Sequence, residues 1–199
     1  YFNNDELAAT TWINKYCLKD KSGKYLEKSP DDMHKRMAEQ FGRIEEKYLK
    51  SETVSKDLSE YGKKRKPLTT EKVYKLFKDF KYVIPQGSVM FGLGNTEVIA
   101  SLSNCIVVPS VLDSYGGVCY TDQQLVQLFK RRCGVGVDLS KLRPKDALVS
   151  NAAGSTTGAV SFMNRFSNTT REVAQNGRRG ALMLTMDVKH PDIEDFITV

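Results

Sequence analysis

A cysteine within an apolar segment is the first residue that suggests chemistry. Cys105 lies in a Val- and Ile-rich run over residues 98–108, which predicts a strand buried on both faces. Pro109 ends this strand, and a glycine-containing turn leads to a helix for which Thr121-Asp122 is the expected N-terminal cap. A strand, a loop and a helix in this order commonly form a substrate pocket. Cys105 is therefore either a pocket residue or an ordinary buried core thiol.

Two glycines and the net charge point to an anionic ligand. Gly134 and Gly136 allow a ligand to approach the backbone closely, because no Cβ stands in the way. A tight turn between a helix and a strand explains these glycines equally well. The formal net charge of +6 at pH 7 favours anionic partners, and we expect nucleotide phosphates rather than nucleic acid.

The spacing of the metal-binding residue types argues against a metal site. The four cysteines include no CxxC or Cys/His ligand pattern, so no zinc site is expected. No apolar run approaches the ~20 residues of a membrane span, and no secretory signal is recognised. We therefore expect a cytoplasmic protein with reduced thiols and no membrane partner. His190 precedes Pro191 and is expected to form a cap and a turn rather than act as a general base.

The pattern of apolar residues divides the chain into two regions. Residues 1–80 contain helical periodicities and form a predicted N-terminal helical region. Residues 81–199 alternate between strands, expected at 134–138 and 181–187, and helices. Such alternation is typical of an α/β architecture.

Several motifs in a fixed order resemble the large, catalytic subunit of ribonucleotide reductases. They are SLSNC, DSYGG, KRRCGVGVDLSKLRP, the segment from STTGAV to NGRRGA, and HPDIEDFI. The resemblance implies an α/β fold in which the helical region is followed by the first half of a ten-stranded α/β barrel. HPDIEDFI and the short N-terminal region favour the adenosylcobalamin-dependent members, class II, with class I as the alternative.

The resemblance assigns roles around the substrate. Cys105 matches the first thiol of the redox pair that reduces the 2′-hydroxyl of a ribose. Gly134 is expected beside that ribose, and Asn104 and Ser88 match polar substrate contacts, although Asn104 replaces a more usual serine. The partner thiol and the cysteine that carries the thiyl radical are expected beyond residue 199.

A second set of residues matches the site for a regulatory dNTP or ATP. Asp113 and Ser114 match contacts to the deoxyribose and base, and Lys130 and Arg143 match cations near the phosphates. Val149 matches an apolar position facing this effector. Taken singly, Asp113 is a turn former and the two cations are solvated surface residues.

A glycine-bounded loop completes the expected regulatory apparatus. The segment 175–180 resembles the loop that relays the identity of the effector to the substrate base. Gln175 and Arg179 are the expected base contacts, with Arg178 as an alternative. The loop between residues 143 and 158 is expected to form the other half of this relay.

The resemblance also implies partners and cofactors. The rest of the barrel is expected from a C-terminal portion of the catalytic subunit, whether the chain is a split-gene product or a fragment. Adenosylcobalamin, bound mostly by that portion, or a metal-containing small subunit would generate the radical. A thioredoxin or glutaredoxin would supply electrons, and two catalytic subunits would pair through the segment 122–132.

Two other functions are compatible with these residues. A non-catalytic nucleotide-binding regulatory module would keep the effector site without the complete active site. A basic nucleic-acid-binding domain would use the net positive charge, and its affinity would fall steeply with salt.

Overall fold

The computed structural model describes residues 1–49, 58–173 and 180–199. They form two compact units, Tyr1–Leu102 and Ser103–Val199. The predicted division at residue 80 falls inside the first of these. The first unit extends beyond residue 80 because it includes a short helix over Gly87–Gly92. The carbonyls of Met90 and Leu93, at the C-terminal end of this helix, accept hydrogen bonds from the Arg36 guanidinium.

The first unit is helical. Its helices are α1 (Glu6–Lys15), α2 (Pro30–Leu49), α3 (Glu60–Lys64), α4 (Thr70–Phe77) and α5 (Gly87–Gly92), with a 3₁₀ turn at Lys78–Phe80. The side chain of Asp5 accepts the Ala8 N–H to cap α1, and that of Thr69 accepts the Lys72 N–H to cap α4. The helical nature predicted for this region is confirmed.

Helical spacing selects the core of the first unit. Met33 and Met37 lie four residues apart on α2 and are fully buried, together with Trp12 and Phe77 from α1 and α4. Leu7, which shares the apolar spacing of α1, is 78% exposed. The buried face of α1 therefore includes fewer residues than the apolar spacing of its sequence predicts, and Trp12 is its buried residue.

A buried ion pair ties three segments of the first unit together. Arg36 Nε lies 2.8 Å from Glu27 Oε1, with only 12% and 6% of the two side chains exposed. The other carboxylate oxygen, Glu27 Oε2, accepts the N–H of Leu18 at 2.9 Å. Arg36 also donates to the end of α5. The pair is thus fully hydrogen-bonded, which offsets the cost of removing both charges from water.

The second unit is a parallel sheet with helical crossovers. Its strands β1 (Cys105–Val107), β2 (Gly134–Asp138) and β3 (Leu182–Thr185) lie in the order β1-β2-β3. The crossover helices are α6 (Tyr115–Phe129) and α7 (Ala159–Glu172), and α8 (Ile193–Thr198) follows β3. A helical region followed by an α/β unit confirms this part of the predicted fold, while the ten-stranded barrel stays a prediction.

Side-chain alternation gives this sheet one packed face and one open face. Val135 and Val137 are 3% and 2% exposed and pack against Leu125 and Phe129 of α6 and Phe166 of α7. The opposite face carries Cys105, Val107 and Met183, all of which are exposed. The prediction that Cys105 lies in a strand buried on both faces is therefore wrong for the described residues, because the helices cover one face only. The strand is also shorter than the apolar run, whose first part, at residues 98–102, belongs to the first unit.

The first crossover helix begins earlier than the sequence pattern predicts. Ser114, not Thr121-Asp122, caps α6, because its hydroxyl accepts the Gly117 N–H at 3.0 Å. The glycines expected to form a turn are instead in the first helical turn. A Cβ at Gly117 would lie 2.4 Å from the Leu112 carbonyl oxygen, so glycine is required where the helix approaches this backbone.

Two classes of feature are absent from the described ranges. No helix in residues 1–49, 58–173 or 180–199 is both long enough and apolar enough to cross a membrane. Nor do the same ranges contain three or more His, Cys, Asp or Glu side chains grouped to hold a metal ion.

Replacing Arg36 by methionine tests the ion pair of the first unit. We expect Arg36→Met to lower the free energy of unfolding by about 3–5 kcal/mol, because the Glu27 carboxylate is left buried without its partner. Trp12 is the single tryptophan of the chain and is buried in this unit, so its fluorescence during urea unfolding reports the change.

Lys35→Met is the matched control. Lys35 pairs with Asp31 at 2.8 Å on the exposed side of the same helix, so its loss should cost less than about 1 kcal/mol. Equal destabilisation by the two substitutions would contradict a special role for the buried pair.

The first unit should lose stability as the pH falls below about 6.5. His34 is fully buried, and burial lowers its pKa from the ordinary value of 6.5, although the carboxylates of Asp31 and Asp79 oppose this shift. The unfolded chain therefore binds a proton before the folded chain does, so stability declines from about pH 6.5 down towards the lower pKa of the folded state. Urea unfolding at several pH values should show this decline, and His34→Gln should reduce it. An unchanged pH profile in the variant would exclude His34 as its origin.

Candidate functional site

A thiol and a glycine are cross-strand neighbours on the open face of the sheet. Cys105 pairs with Gly134 in the parallel register of β1 and β2. A Cβ at Gly134 would lie 3.4 Å from Cys105 Sγ and 3.3 Å from the Cβ of Ala181. The Asn104 carbonyl oxygen would lie 3.4 Å from the same Cβ, and Gly134 is buried, so the absence of a side chain lets Asn104, Cys105 and Ala181 pack closely around this backbone.

Asn104 belongs to the same corner of the sheet. Its carbonyl oxygen accepts the Gly134 N–H at 2.7 Å, so its backbone is fixed directly before Cys105. Cys105 itself is exposed, as is Cys119, whereas Cys133 and Cys17 are buried. The structure thus brings together three of the residues expected around the substrate: Cys105, Asn104 and Gly134.

A carboxylate connects the carboxyl ends of all three strands. Asp138, at the end of β2, accepts hydrogen bonds from Ser110 after β1, from Ser140 after β2 and from Thr185 of β3. Burial raises the pKa of Asp138, but these hydrogen bonds outweigh burial and hold it below its ordinary value. Ligands of parallel sheets commonly bind at this edge. The sequence analysis did not identify Asp138, which the position directly after a GVGV strand could have signalled.

The loops beyond this edge enclose a cavity of about 230 Å³. Four residues expected to contact the effector line it: Asp113, Ser114, Arg143 and Val149. Arg143 Nε donates to Asp113 Oδ2 at 2.8 Å, and its Nη1 donates to the Leu148 carbonyl at 2.7 Å. The backbone N–H of Arg143 also donates to Asp113 Oδ1. The loops that follow β1 and β2 therefore meet through this ion pair.

Aromatic and polar walls complete the cavity. Tyr115 and Phe162, from the first turns of α6 and α7, form an edge-to-face ring contact with centroids 6.3 Å apart. Ser150, Asn151 and Thr156 add polar groups from the loop after β2. The sequence analysis missed these residues, because only the fold brings helix starts and a loop together. An aromatic, polar and cationic lining suits a nucleotide.

Lys130 does not belong to this cavity. It caps the C-terminus of α6, while Ser114 caps the N-terminus. Fifteen helical residues separate the two ends by about 22 Å, because an α-helix rises ~1.5 Å per residue. A small molecule in the cavity cannot contact both within one chain.

Of three other expected residues, one lies elsewhere and two fall outside the described residues. Ser88 is in α5 of the first unit, and its side chain is only 3% exposed, so it is packed inside that unit. Gln175 and Arg179 lie outside the described residues, as does the alternative Arg178.

Comparison with known protein families identifies the family of this chain and agrees with its fold. The model of the ribonucleotide reductase all-alpha domain matches residues 2–97, and that of the ribonucleotide reductase barrel domain matches residues 103–199. The chain belongs to the ribonucleotide reductase large-subunit family. The two matched ranges agree with the two compact units of the structure.

Related reductases extend well beyond this chain. A vitamin B12-dependent ribonucleoside-diphosphate reductase of Thermoplasma acidophilum is 30% identical over 92% of the chain and 29% of the relative. A protein of the same name from Mycobacterium tuberculosis is 29% identical over 96% of the chain and 25% of the relative. Ribonucleoside-diphosphate reductase large chain 2 of Saccharomyces cerevisiae is 27% identical over 64% of the chain and 15% of the relative. The chain thus spans less than a third of the length of these relatives.

Adding a methyl group at Gly134 should shield the thiol of Cys105. We expect Gly134→Ala to slow alkylation of Cys105 by iodoacetamide several-fold, because the new Cβ would lie 3.4 Å from the sulfur. Mass spectrometry of the modified peptides measures the rate, and the exposed Cys119 serves as an internal reference.

Gly136→Ala is the control on the same strand and the same face. Its Cβ would meet only Val107 Cγ2, at the ordinary contact distance of 3.5 Å. If both substitutions changed the Cys105 alkylation rate equally, the closeness of position 134 to the sulfur would have no particular role.

Proposed function

We propose that this chain forms the N-terminal part of the catalytic subunit of a ribonucleoside-diphosphate reductase. The observation that carries the proposal is the exposed thiol of Cys105 on the open face of a parallel sheet, where Cys105 pairs with Gly134 of the neighbouring strand. Membership of the family supplies the reaction class. The placement of the thiol supplies a surface on which a ribose and a reducing sulfur can meet.

The proposed reaction replaces the ribose 2′-hydroxyl by hydrogen. Two thiols supply two electrons and two protons, the hydroxyl leaves as water, and the sulfurs join in a disulfide. Cys105 is the proposed first thiol. Its partner would need a Cα within about 4.4–6.8 Å, and the resemblance to the family matches none of the other three cysteines to that role. The partner thiol and the thiyl radical are therefore assigned to the remainder of the catalytic subunit.

The substrate would lie across the open face. Gly134 would contact the ribose through its backbone, and Asn104 would add a polar contact at the start of β1. Gln175 and Arg179 are the proposed contacts to the substrate base. Ser88 is a further proposed substrate contact, and this role requires that its side chain reach the substrate in the assembled subunit. A ten-stranded barrel would enclose this face, since three parallel strands with helices on one side have the layering of such a barrel.

The 230 Å³ cavity is the proposed effector site for a dNTP or ATP. The deoxyribose and base would contact Asp113 and Ser114, Val149 would face the effector, and the ring of Tyr115 offers a stacking surface. Among the described residues, the Arg143 guanidinium uses Nε and Nη1 for Asp113 and Leu148, which leaves Nη2 for a phosphate. Lys130 would serve this site only through a second copy of the chain in a homodimer.

The radical source is proposed from the names of the relatives. Those from Thermoplasma and Mycobacterium are named as vitamin B12-dependent, which favours adenosylcobalamin over a metal-containing small subunit. When bound, that cofactor would generate the radical. A corrin ring is far too large for the 230 Å³ cavity. We therefore assign its binding to the remainder of the subunit.

The proposed protein partners follow from the same function. A thioredoxin or glutaredoxin would reduce the disulfide, in the cytoplasm, and catalytic subunits would pair through the segment 122–132. In that segment Asp122 is already engaged within the chain, because it pairs with Arg165 and accepts a hydrogen bond from Thr169. Its exposed neighbours are therefore the better candidates for contacts with a second subunit.

Removing the proposed redox thiol should abolish reduction. Assembled with the rest of the catalytic subunit, the radical source and thioredoxin, the chain should convert a ribonucleoside diphosphate to the deoxynucleotide. We expect Cys105→Ser to reduce thioredoxin-dependent turnover to background, whereas Cys119→Ser retains it. Full turnover by Cys105→Ser would overturn the assigned role. Nucleotide binding without any turnover in the wild-type assembly would favour the regulatory-module alternative.

Removing the cation of the cavity should weaken nucleotide binding. We expect Arg143→Met to raise the Kd for dTTP or ATP about tenfold or more, because a charge-assisted hydrogen bond to phosphate is lost. Isothermal titration measures the affinity. Lys141→Met removes an equal charge from an exposed residue two positions away that does not line the cavity, and should leave the affinity nearly unchanged. Equal affinities in the two variants would place the nucleotide elsewhere.

A further inference from the structure

The HPDIEDFI motif has no role in the function proposed so far, yet two of its side chains are buried beside the nucleotide cavity. His190 and Asp192 are each 7% exposed. Both lie in the segment that follows β3, and both contact the loop that follows β2. We call His190 and Asp192 together the clamp.

Asp192 holds the backbone at two points that are distant in sequence. Its Oδ1 and Oδ2 accept the N–H of Lys145 at 3.0 and 3.1 Å, and Oδ2 also accepts the N–H of Ala159 at 3.0 Å. Ala159 is the first residue of α7, whose preceding residue, Gly158, has no side chain to cap the helix. The carboxylate therefore caps α7 from another segment and lies at the positive end of its dipole.

His190 holds a third point on the same loop. Its Nε2–H donates to the carbonyl of Leu142 at 2.7 Å, while Nδ1 accepts the N–H of Asp192 at 3.1 Å. Both ring nitrogens are thus occupied in a neutral imidazole, which is consistent with the cap and turn expected from the sequence. The histidine also orients the aspartate that follows it.

The close packing at Gly158 shows how tightly this connection is built. Gly158 has a φ of +87°, and a Cβ there would lie 2.8 Å from Asp192 Oδ2 and 2.8 Å from the Lys145 nitrogen. A side chain would therefore displace the carboxylate from the two N–H groups that it binds.

The clamp fixes both ends of the loop that forms one wall of the cavity. Leu142 and Lys145 lie at the start of that loop, and Ala159 lies directly after its end. Between them the loop contributes Arg143, Val149 and Asn151 to the cavity lining. The other end of the cavity is set by α7, which carries Phe162 one turn after Ala159. Movement of the clamp would therefore displace a cation, an apolar contact and an aromatic wall together.

We propose that His190 and Asp192 are positioning residues that set the nucleotide affinity of the cavity through the loop 142–158. The proposal rests on the proposed effector site and names the element that organises it. Neither side chain lines the cavity, so neither touches the nucleotide. Coupling between two sites is reciprocal. If the hydrogen bonds of the clamp strengthen nucleotide binding, the bound nucleotide must therefore stabilise those hydrogen bonds by the same free energy.

Substitution of the aspartate tests one direction of this linkage. In the full 199-residue chain, Asp192→Asn turns an NH2 group towards backbone N–H donors, and we expect the Kd for dTTP or ATP to rise about tenfold. Asp195→Asn, the same change at an exposed position of α8, should leave the Kd unchanged. Alkylation of Cys105 should proceed at the wild-type rate in both variants, which separates loss of the clamp from general unfolding of the sheet.

Hydrogen exchange in the wild-type chain tests the other direction and needs no variant. Saturating dTTP should slow exchange of the Lys145 and Ala159 amides more than that of the β2 amides. Weaker nucleotide binding by Asp192→Asn supports the proposal. If that variant does not fold, the selective protection of the Lys145 and Ala159 amides in the wild-type chain supports it instead. If the wild-type chain binds nucleotide but neither the weaker binding nor the selective protection is observed, the proposed role of the clamp is wrong and the effector site is unaffected. Absence of any nucleotide binding by the wild-type chain would instead overturn the effector site on which the proposal rests.

Discussion

The parallel pairing of β1 with β2 is the constraint on which the proposed chemistry depends. Because side chains alternate along a strand, the pairing of Cys105 with Gly134 places both on the face away from α6 and α7. A slip of one residue would turn the thiol into the packed face and Ile106 out of it. Ile106 of β1 and the adjacent Val108 oppose such a slip, since they would lose their contacts with the core under the helices. Hydrophobic packing on one face therefore fixes a reactive group on the other.

Carboxylates connect this sheet to the loops that carry the proposed regulation. Asp138 joins the carboxyl ends of the three strands through hydroxyl donors, and Asp192 joins the loop after β2 to the start of α7. Asp113 binds Arg143 between the loops after β1 and β2. Each of these carboxylates accepts hydrogen bonds from neighbouring segments of the chain. Loops of this kind keep a defined shape without a hydrophobic core of their own.

In the first unit, a buried ion pair holds neighbouring segments together. A fully hydrogen-bonded pair of Glu27 and Arg36 joins the segment before α2 to the end of α5, beside a core of methionines and aromatic rings. Removing either charge leaves the other buried, so the pair specifies one arrangement of these segments. The helix that bears Ser88 is held in place by this contact.

The sequence alone determined the family, the helical first region, the strand at residues 134–138 and the residue types of both proposed sites. These follow from local periodicity and from motifs, which act over short stretches of chain. Only the tertiary structure decided that Cys105 is exposed, that α6 starts at Ser114, and that Lys130 lies a helix length from the cavity. It also assigned contacts to Asp138, His190 and Asp192. Exposure and long-range hydrogen bonds depend on which face the helices cover and which loops meet, and no local pattern contains that information.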